Sequence, residues 1–160
     1  MVKVDVSGLA IDNRSNSPVV LLKETQGDRV LPIWIGQAEA SAIAFELGGF
    51  NFRRPLTHDL FKSVLDALEV KLTKVVISDL IDQTFYAEFF LQMGKKVFKI
   101  DARPSDSIIM ALKLKAPIFV AEEILETEDS SEEDNPEKKA QRLRDRLNRI
   151  NPEDFGKFTL

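Results

Sequence analysis

Two joins between a strand-like run and a helix-like run constrain the fold of this 160-residue chain more than any other feature. They lie within residues 35–47 and 100–112, whose apolar residues align at one constant offset. Each join follows three runs that alternate like β-strands and opens a run with helical periodicity. The pattern predicts an internal duplication of a three-strand plus helix unit. Because two copies are too few for a solenoid, we expect one α+β sheet-and-helix domain.

The individual elements are predicted from turn residues and apolar spacing. Six strands are expected at 2–11, 19–24, 30–35, 71–80, 85–91 and 97–100, and a short buried closing strand at 117–120. Pro32 cannot donate a backbone hydrogen bond, so its strand is expected at a sheet edge or a bulge. Gly48 and Gly49 are expected to end the first helix. Thr57 is a favourable N-cap for a helix with a wide apolar face, formed by Leu60, Phe61, Val64, Leu65 and Leu68.

Composition divides the chain into three parts. Residues 1–125 have the patterns of a globular domain, residues 126–136 read as an acidic linker, and residues 137–160 are predicted to form a basic C-terminal helix and tail. The segment 122–134 holds eight acids and no base, and subtracting those eight negative charges from the overall −4 leaves +4. That balance permits a nucleic-acid partner without requiring one.

The scarcity of soft ligands excludes several kinds of site. The chain has no cysteine and one histidine, which rules out disulfides, thiolate metal sites, cysteine nucleophiles and a multi-histidine zinc site within one subunit. Any metal would rest on oxygen ligands. The N-terminus lacks the apolar centre of a signal peptide, and no run is long enough to span a bilayer. We expect a soluble, cytoplasmic protein with no membrane partner.

The segment Asp101–Ser107 is the strongest candidate for a functional site. It brings two carboxylates, one guanidinium and two hydroxyls to the point where a strand ends and Pro104 begins a helix. The unpaired N–H groups and the dipole at a helix N-terminus favour anions, so a phosphate can bind there. The same residues are also those of an elaborate helix cap, and the sequence leaves both interpretations open.

Acids at both joins suggest a metal site. Glu39 lies at the first join, and Asp101 and Asp106 lie at the second. If the two units pack about a pseudo-twofold axis, these carboxylates meet and can bind Mg²⁺ or Mn²⁺, which would polarise a phosphoryl group and activate water. The alternative is that each acid caps or neutralises its own helix start, and spacing alone favours that alternative.

His58, Arg54 and Arg103 extend this hypothesis. His58 lies beside Asp59 at a predicted helix start, where the dipole and the carboxylate act on the imidazole in opposite directions, which suits a general base. Arg54 and Arg103 have forked donors that match phosphate oxygens. His58 and Arg103 each also have a purely structural interpretation. The imidazole can donate to a nearby carbonyl, and Arg103 can form a local ion pair with Asp101 or Asp106.

Three aromatic residues lie near these arginines or at the first join. Phe50, Phe52 and Trp34 can stack on nucleobases, a use for which rings beside arginines are suited. More often, such residues belong to a core or an interface. The sequence therefore identifies them as secondary candidates for nucleic-acid binding.

Four segments resemble the bifunctional nuclease domain family in order and spacing: Leu31–Ala40, Arg54–Leu60, Asp101–Ser107 and Ala116–Val120. The resemblance covers residues 1–125 and is closest in type to small, stand-alone bacterial members. It implies an α+β domain with the duplicated layout, assembly as a homo-oligomer, and nuclease activity on RNA, DNA or both. It does not supply an established catalytic set. The positions that fall inside the matching motifs are Glu39, Arg54, His58, Asp59, Asp101, Arg103 and Asp106.

The leading hypothesis is a metal-assisted phosphodiesterase. In it, Mg²⁺ or Mn²⁺ binds Glu39, Asp101 or Asp106, His58 moves a proton, and Arg54 or Arg103 holds phosphate. The alternative is a non-catalytic oligomeric binding or scaffolding module, in which the same residues are caps, ion pairs and subunit contacts. A third interpretation is a small-anion sensor that uses the helix starts without cleavage.

Overall fold

The fold is one mixed β-sheet with helices packed on it. A computed structural model describes residues 1–129. The strands of this part are β1 (Val2–Asp12), β2 (Ser17–Glu24), β3 (Val30–Trp34), β4 (Val70–Ile81), β5 (Thr84–Met93), β6 (Lys96–Ala102) and β7 (Ile118–Val120). Its helices are α1 (Gln37–Gly48), α2 (Thr57–Ala67), α3 (Pro104–Leu114) and α4 (Glu122–Asp129). These elements confirm the predicted α+β class.

The sheet places one antiparallel three-stranded unit on each side of a short central strand. The strand order is β3-β2-β1-β7-β4-β5-β6. Strand β7, the predicted closing strand, pairs antiparallel with β1 and parallel with β4. Helix α1 follows β3, α3 follows β6, and these two helices pack against each other. The element order is the one that the predicted duplication requires, but the duplication itself stays a prediction.

Backbone chemistry at the turns explains where several elements end. Asp82 and Gln83 connect β4 to β5 with φ of 48° and 61°, the left-handed pair that a two-residue type I′ hairpin needs. Gly49, with φ of 66°, ends α1 as the glycine pair predicts. Pro104 is the first residue of α3, where its missing N–H costs no helical hydrogen bond.

The core lies between the sheet and helices α1 and α3. Its fully buried members come from both halves of the chain and include Val4, Val20, Leu22, Ile43, Ile77, Ile108 and Ile109. Burying each of these side chains contributes about 1.5–3 kcal/mol. Ser107 is also fully buried, and its hydroxyl donates to the carbonyl oxygen of Arg103 at 2.9 Å, which ties the start of α3 to the residue before it.

The two edge strands differ in their exposure. β3 contains Pro32 and lies at one end of the sheet, as the proline predicts. β6 lies at the other end, and although its alternating sequence is typical of a half-buried strand, Lys96 to Asp101 are all exposed. Its sequence does alternate, but no element of the described chain covers either face of the sheet at this edge.

Helix α2 also differs from its prediction in two respects. Thr57 is not the N-cap but the first helical residue, and the carboxylate of Asp59 instead accepts the N–H of Leu56, the N-cap residue, at 2.8 Å. Of the predicted apolar face, only Leu65 is buried; the exposed residues are Leu60, Phe61, Val64 and Leu68. The apolar spacing predicts the helix correctly but overstates how much of it the domain covers.

The chain after β7 continues as helix α4, whose first residue, Glu122, forms an ion pair. Arg29 donates to Glu122 at 2.8 Å and to Glu24 at 2.9 Å, linking the β2–β3 turn to this helix. Because α4 extends to Asp129, the first four residues of the predicted linker are helical. The rest of that linker and the predicted basic helix lie outside the described residues. Within residues 1–129, no helix is long and apolar enough to cross a membrane.

We expect Ile43→Ala to lower the free energy of unfolding by about 2–5 kcal/mol, since it leaves a cavity where a fully buried side chain packed. Leu47→Ala in the same helix is the matched control, because Leu47 is 45% exposed and its truncation should cost far less. Urea unfolding of both variants measures the difference. Equal losses would contradict the assignment of Ile43 to the core.

Candidate functional site

Arg103 links the two segments in which a strand is followed by a helix. Its guanidinium donates two hydrogen bonds to the carboxylate of Asp106, from Nε at 2.7 Å and from Nη2 at 3.1 Å. Its Nη1 donates to Glu39 at 3.0 Å. Glu39 is in the first turn of α1 and Asp106 is in the first turn of α3. The first turns of α1 and α3 therefore lie close together, and the guanidinium of Arg103 lies between their two carboxylates.

The electrostatics of Asp106 favour its charged form. Burial by itself raises the pKa of this carboxyl, but the Arg103 guanidinium and the nearby His58 outweigh it and hold the pKa below its ordinary value. Asp106 in turn, and Glu39 to a smaller extent, raise the pKa of Arg103. Asp106 is thus a carboxylate at neutral pH. Arg103, which pairs with it, remains largely exposed to solvent.

His58 brings the third helix to this cluster. It is the second residue of α2, and its Nε2 lies 3.6 Å from Oδ1 of Asp106. A carboxylate at this distance favours a proton on Nε2, which leaves Nδ1 as the free acceptor of the neutral ring. The starts of α1, α2 and α3 therefore meet in one polar cluster, made of Glu39, His58, Arg103 and Asp106.

Lys113 forms a second link among the same three helices, behind His58. Its ammonium, on α3, donates to Glu46 of α1 and to Asp59 of α2, and its side chain is only 11% exposed. Burial lowers the pKa of Lys113, but the two carboxylates more than offset it and raise the pKa overall. Hydrogen bonds from Lys113 and from the Leu56 N–H lower the pKa of Asp59. Both oxygens of Asp59 are thereby engaged, which fixes the start of α2 and so the position of His58.

A cleft lies beside His58 and is walled by aromatic rings. Phe45 packs edge-on against Phe50 and Phe52, with ring centroids 6.0 and 4.8 Å apart. Phe50 and Phe52 nevertheless present much of their surface to solvent. The cleft is lined by Ala42, Phe45, Glu46, Phe50, Phe52, Leu56, His58, Asp59, Ile109 and Lys113.

The loop between α1 and α2 carries two arginines between residues that line this cleft. Arg53 and Arg54 follow Phe52 and precede Leu56, both of which line the cleft. Both arginines are exposed, and neither forms an ion pair or a side-chain hydrogen bond with any residue up to 129. Unlike Arg103, they are free to bind an anion from outside.

Two of the sequence candidates lie apart from the cluster. Asp101 is exposed on β6, directly opposite Glu88 of β5, and its carboxylate makes no hydrogen bond or ion pair within residues 1–129. Trp34, the last residue of β3, donates from its indole nitrogen to the carboxylate of Asp12 at 3.0 Å. The structure therefore joins Glu39 and Asp106, but it does not bring Asp101 or Trp34 into their contact network.

The predicted carboxylates do not form a ready site for a divalent cation. A metal on Glu39 and Asp106 would have to displace Arg103, which holds an oxygen of each. In the part of the chain that the structure describes, no three His, Cys, Asp or Glu residues are grouped so that they can hold a metal ion. The donor set thus does not fit a resident Mg²⁺ or Mn²⁺, and a metal requirement stays an untested prediction.

Sequence reasoning missed Lys113 and Glu46. Lys113 lies four residues after Ile109, on the face of α3 that points into the protein. A lysine on a buried helix face needs carboxylate partners, and that position was the available signal. Its partners come from α1 and α2, so spacing along the chain did not identify them.

Fold and cleft together define an α+β protein with a His–Asp pair and free arginines around an aromatic cleft. The model of the Bifunctional nuclease domain family matches residues 20–133. The chain therefore belongs to the bifunctional nuclease domain family.

Relatives extend this assignment to bacteria and plants. An uncharacterised protein of Mycobacterium tuberculosis is 41% identical to this chain, across 97% of this chain and 98% of its own length. Bifunctional nuclease 2 of Oryza sativa subsp. japonica is 27% identical across 71% of this chain, and Bifunctional nuclease 2 of Arabidopsis thaliana is 26% identical across 66%. The matched regions make up 36% and 33% of those plant proteins, which are thus much longer than the shared domain.

We expect Lys113→Met to destabilise the protein by about 1–3 kcal/mol, because it leaves Glu46 and Asp59 without their charged donor. Lys62→Met is the matched control, since Lys62 pairs with Asp66 on the exposed surface of α2, where such pairs contribute about 0.3–0.5 kcal/mol. Chemical denaturation compares the two losses. A Lys113 variant no weaker than the Lys62 variant would refute the three-helix link.

We also predict a pH signature for Asp106. Its pKa is lowered in the folded state, so its contribution to stability is full above the unfolded pKa and disappears as pH falls through the folded pKa. The stability gap between wild type and Asp106→Asn should therefore narrow as pH falls from 5 towards 3. Asp28→Asn, at an exposed carboxylate of the β2–β3 turn, is the control for the loss of one negative charge. Urea unfolding at several pH values tests both.

Proposed function

We propose that this protein is a nuclease that hydrolyses phosphodiester bonds of RNA, DNA or both at the cleft beside His58. The carrying observation is the His58–Asp106 pair, with Nε2 3.6 Å from the carboxylate, at the border of a cleft, together with two unpaired arginines in the loop between its lining residues Phe52 and Leu56. Membership of the bifunctional nuclease domain family and likeness to plant proteins named bifunctional nucleases support the proposal.

Substrate binding relies on the loop between α1 and α2. Arg54, with Arg53 beside it, contacts phosphate oxygens, because a guanidinium fork with no internal partner has all its donors available. The exposed rings of Phe50 and Phe52 offer stacking faces for unpaired bases, a mode that tolerates any base and either sugar. Single-stranded RNA and DNA are therefore the expected substrates.

The chemical step relies on His58 as the catalytic residue. Its Nδ1 accepts a proton from the attacking water as the new oxygen–phosphorus bond forms, and the leaving oxygen takes a proton from solvent as its bond to phosphorus breaks. Asp106 is a positioning residue that holds the ring and stabilises the imidazolium. Arg103, exposed beside Asp106, stabilises the negative charge that grows on the phosphate oxygens.

Divalent-cation dependence stays a separate part of the proposal. Mg²⁺ or Mn²⁺ at Glu39, Asp101 or Asp106 follows from the sequence pattern, whereas the guanidinium of Arg103 already satisfies two of those carboxylates. The proton transfer by His58 requires no cation of this kind. Activity in the presence of a chelator therefore separates the two versions of the mechanism.

A non-catalytic binding module is the second candidate, and one observation favours it. Arg103, Asp106, Glu39, Asp59 and Lys113 all have internal partners, so each already has a structural role in holding helix starts together. In that case the free arginines and exposed rings bind a nucleic acid, and no bond is cleaved.

We expect purified protein to cleave labelled single-stranded RNA or DNA, and His58→Gln to lower kcat/KM by about 10²–10⁴-fold, as loss of a general base does. Arg54→Gln should raise KM and reduce the salt dependence of binding by about one phosphate contact. The assay is run with Mg²⁺, with Mn²⁺ and with chelator.

Arg14→Gln is the control for Arg54→Gln, because Arg14 is an exposed arginine in the β1–β2 turn, away from the cleft. Cleavage that survives His58→Gln unchanged would indicate a contaminating enzyme and remove the proposed catalyst. Binding that depends on Arg54, without product under any condition, would establish the binding module instead.

A further inference from the structure

The cleft beside His58 combines flat apolar walls with hydrogen-bonding groups at its floor. Its walls include the rings of Phe50 and Phe52, which are 62% and 40% exposed. Ile109 and Lys113 also line the cleft; Ile109 is fully buried and the side chain of Lys113 is 11% exposed, so these two residues form its floor. Apolar walls around a few polar groups are typical of a site that binds a small organic group.

Lys113 has one unused donor at this floor. An ammonium group carries three N–H donors. Two of them go to Glu46 and Asp59, and the third has no acceptor within residues 1–129. Because Lys113 lines the cleft and is little exposed to water, a group bound in the cleft can supply the acceptor that this N–H lacks.

Glu46 has unused acceptors beside that donor. Its Oε2 has no partner within residues 1–129, and its Oε1 keeps a second lone pair beside the bond from Lys113. Asp59 differs, because its second oxygen already accepts the N–H of Leu56. Both Glu46 and Lys113 line the cleft, so one free N–H and one carboxylate edge lie side by side in it.

We infer that this cleft binds guanine, the base whose edge matches one N–H donor beside one carboxylate. Guanine presents its O6 carbonyl followed by two adjacent donors, the N1–H and the N2 amino group. Lys113 donates to O6, the two oxygens of Glu46 accept from N1 and N2, and the ring of Phe52 stacks on the base. The inference rests on the proposed function, since the guanine belongs to a nucleic-acid strand whose phosphate Arg54 contacts.

The other bases make fewer bonds with the same two residues. Uracil and thymine offer a carbonyl and one N–H, but their second carbonyl would face a carboxylate oxygen of Glu46. Adenine and cytosine present an amino group and a ring nitrogen in the reverse order, so each makes at most two bonds. Stacking on phenylalanine tolerates any base, whereas a site built to hydrogen-bond its ligand rejects one that leaves its polar groups unpaired. Lys113 and Glu46 therefore decide the preference.

Isothermal titration calorimetry of the full-length chain with 5′-mononucleotides tests this preference. We expect GMP to bind at least about 10-fold more tightly than AMP, CMP or UMP, since one well-matched bidentate contact to a base discriminates by about that factor. IMP lacks only the N2 amino group of GMP and should bind more weakly than GMP. GMP that binds no more tightly than AMP or IMP, or that does not bind, would overturn the inference.

Glu46→Gln tests the assigned contact. An amide has one acceptor oxygen and places N–H donors against those of guanine, so the ratio of GMP to AMP affinity should fall towards one. Glu88→Gln is the matched control, because Glu88 also pairs with a lysine and its side chain is 20% exposed, but it does not line the cleft. It should keep the wild-type ratio. A Glu46 variant that also keeps that ratio would contradict the contact.

Mapping the cleavage sites of a single-stranded RNA with one guanine separates the base preference from nuclease activity. Because His58 lines the same cleft, we expect cuts to concentrate beside the guanine. Cuts spread evenly over all bases would overturn the inference and leave the nuclease intact. Preferential binding of GMP by a protein that cuts no strand would support the inference and overturn the proposed nuclease.

Discussion

The cleft depends on one half-buried ammonium, that of Lys113. Lys113 on α3 contacts Glu46 on α1 and Asp59 on α2, so a single cation sets the relative positions of three helices. Asp59 also accepts the N–H of Leu56 and thereby fixes where α2 starts. Since His58 precedes Asp59, the histidine reaches Asp106 because this link holds the helix start in place. The chemistry that we propose thus rests on a charged group that holds three helices in place.

Around this link, the internal ion pairs separate two kinds of arginine. Arg103 is satisfied by Glu39 and Asp106, which makes it a fixed part of the cluster and leaves little room for a metal between those carboxylates. Arg53 and Arg54 have no such partners within residues 1–129, and the aromatic residue before them opens onto the cleft. Arg103 thus supplies a fixed positive charge beside the reacting atoms, whereas Arg53 and Arg54 supply unpaired positive charges in the loop next to the cleft. This arrangement suits the capture and cleavage of a polyanion.

The same sheet presents its two edges in different ways. β3 carries a proline, whereas β6 has no proline and exposes Val97, Phe98 and Ile100. Strand β6 ends at Asp101 and Ala102 and leads directly to Arg103, so this edge of the sheet positions the segment that enters the polar cluster.

The sequence by itself determined the α+β class, strands β1 to β7 and helices α1 to α3 to within a few residues, and the edge position of Pro32, because each follows from local periodicity or turn residues. Only the tertiary structure decided that Asp101 lies apart, that Lys113 links three helices, that the N–H of Leu56 is capped by Asp59, and that α2 and β6 stay exposed. Those outcomes depend on which elements pack side by side, and a pattern along one segment cannot specify its neighbours in space.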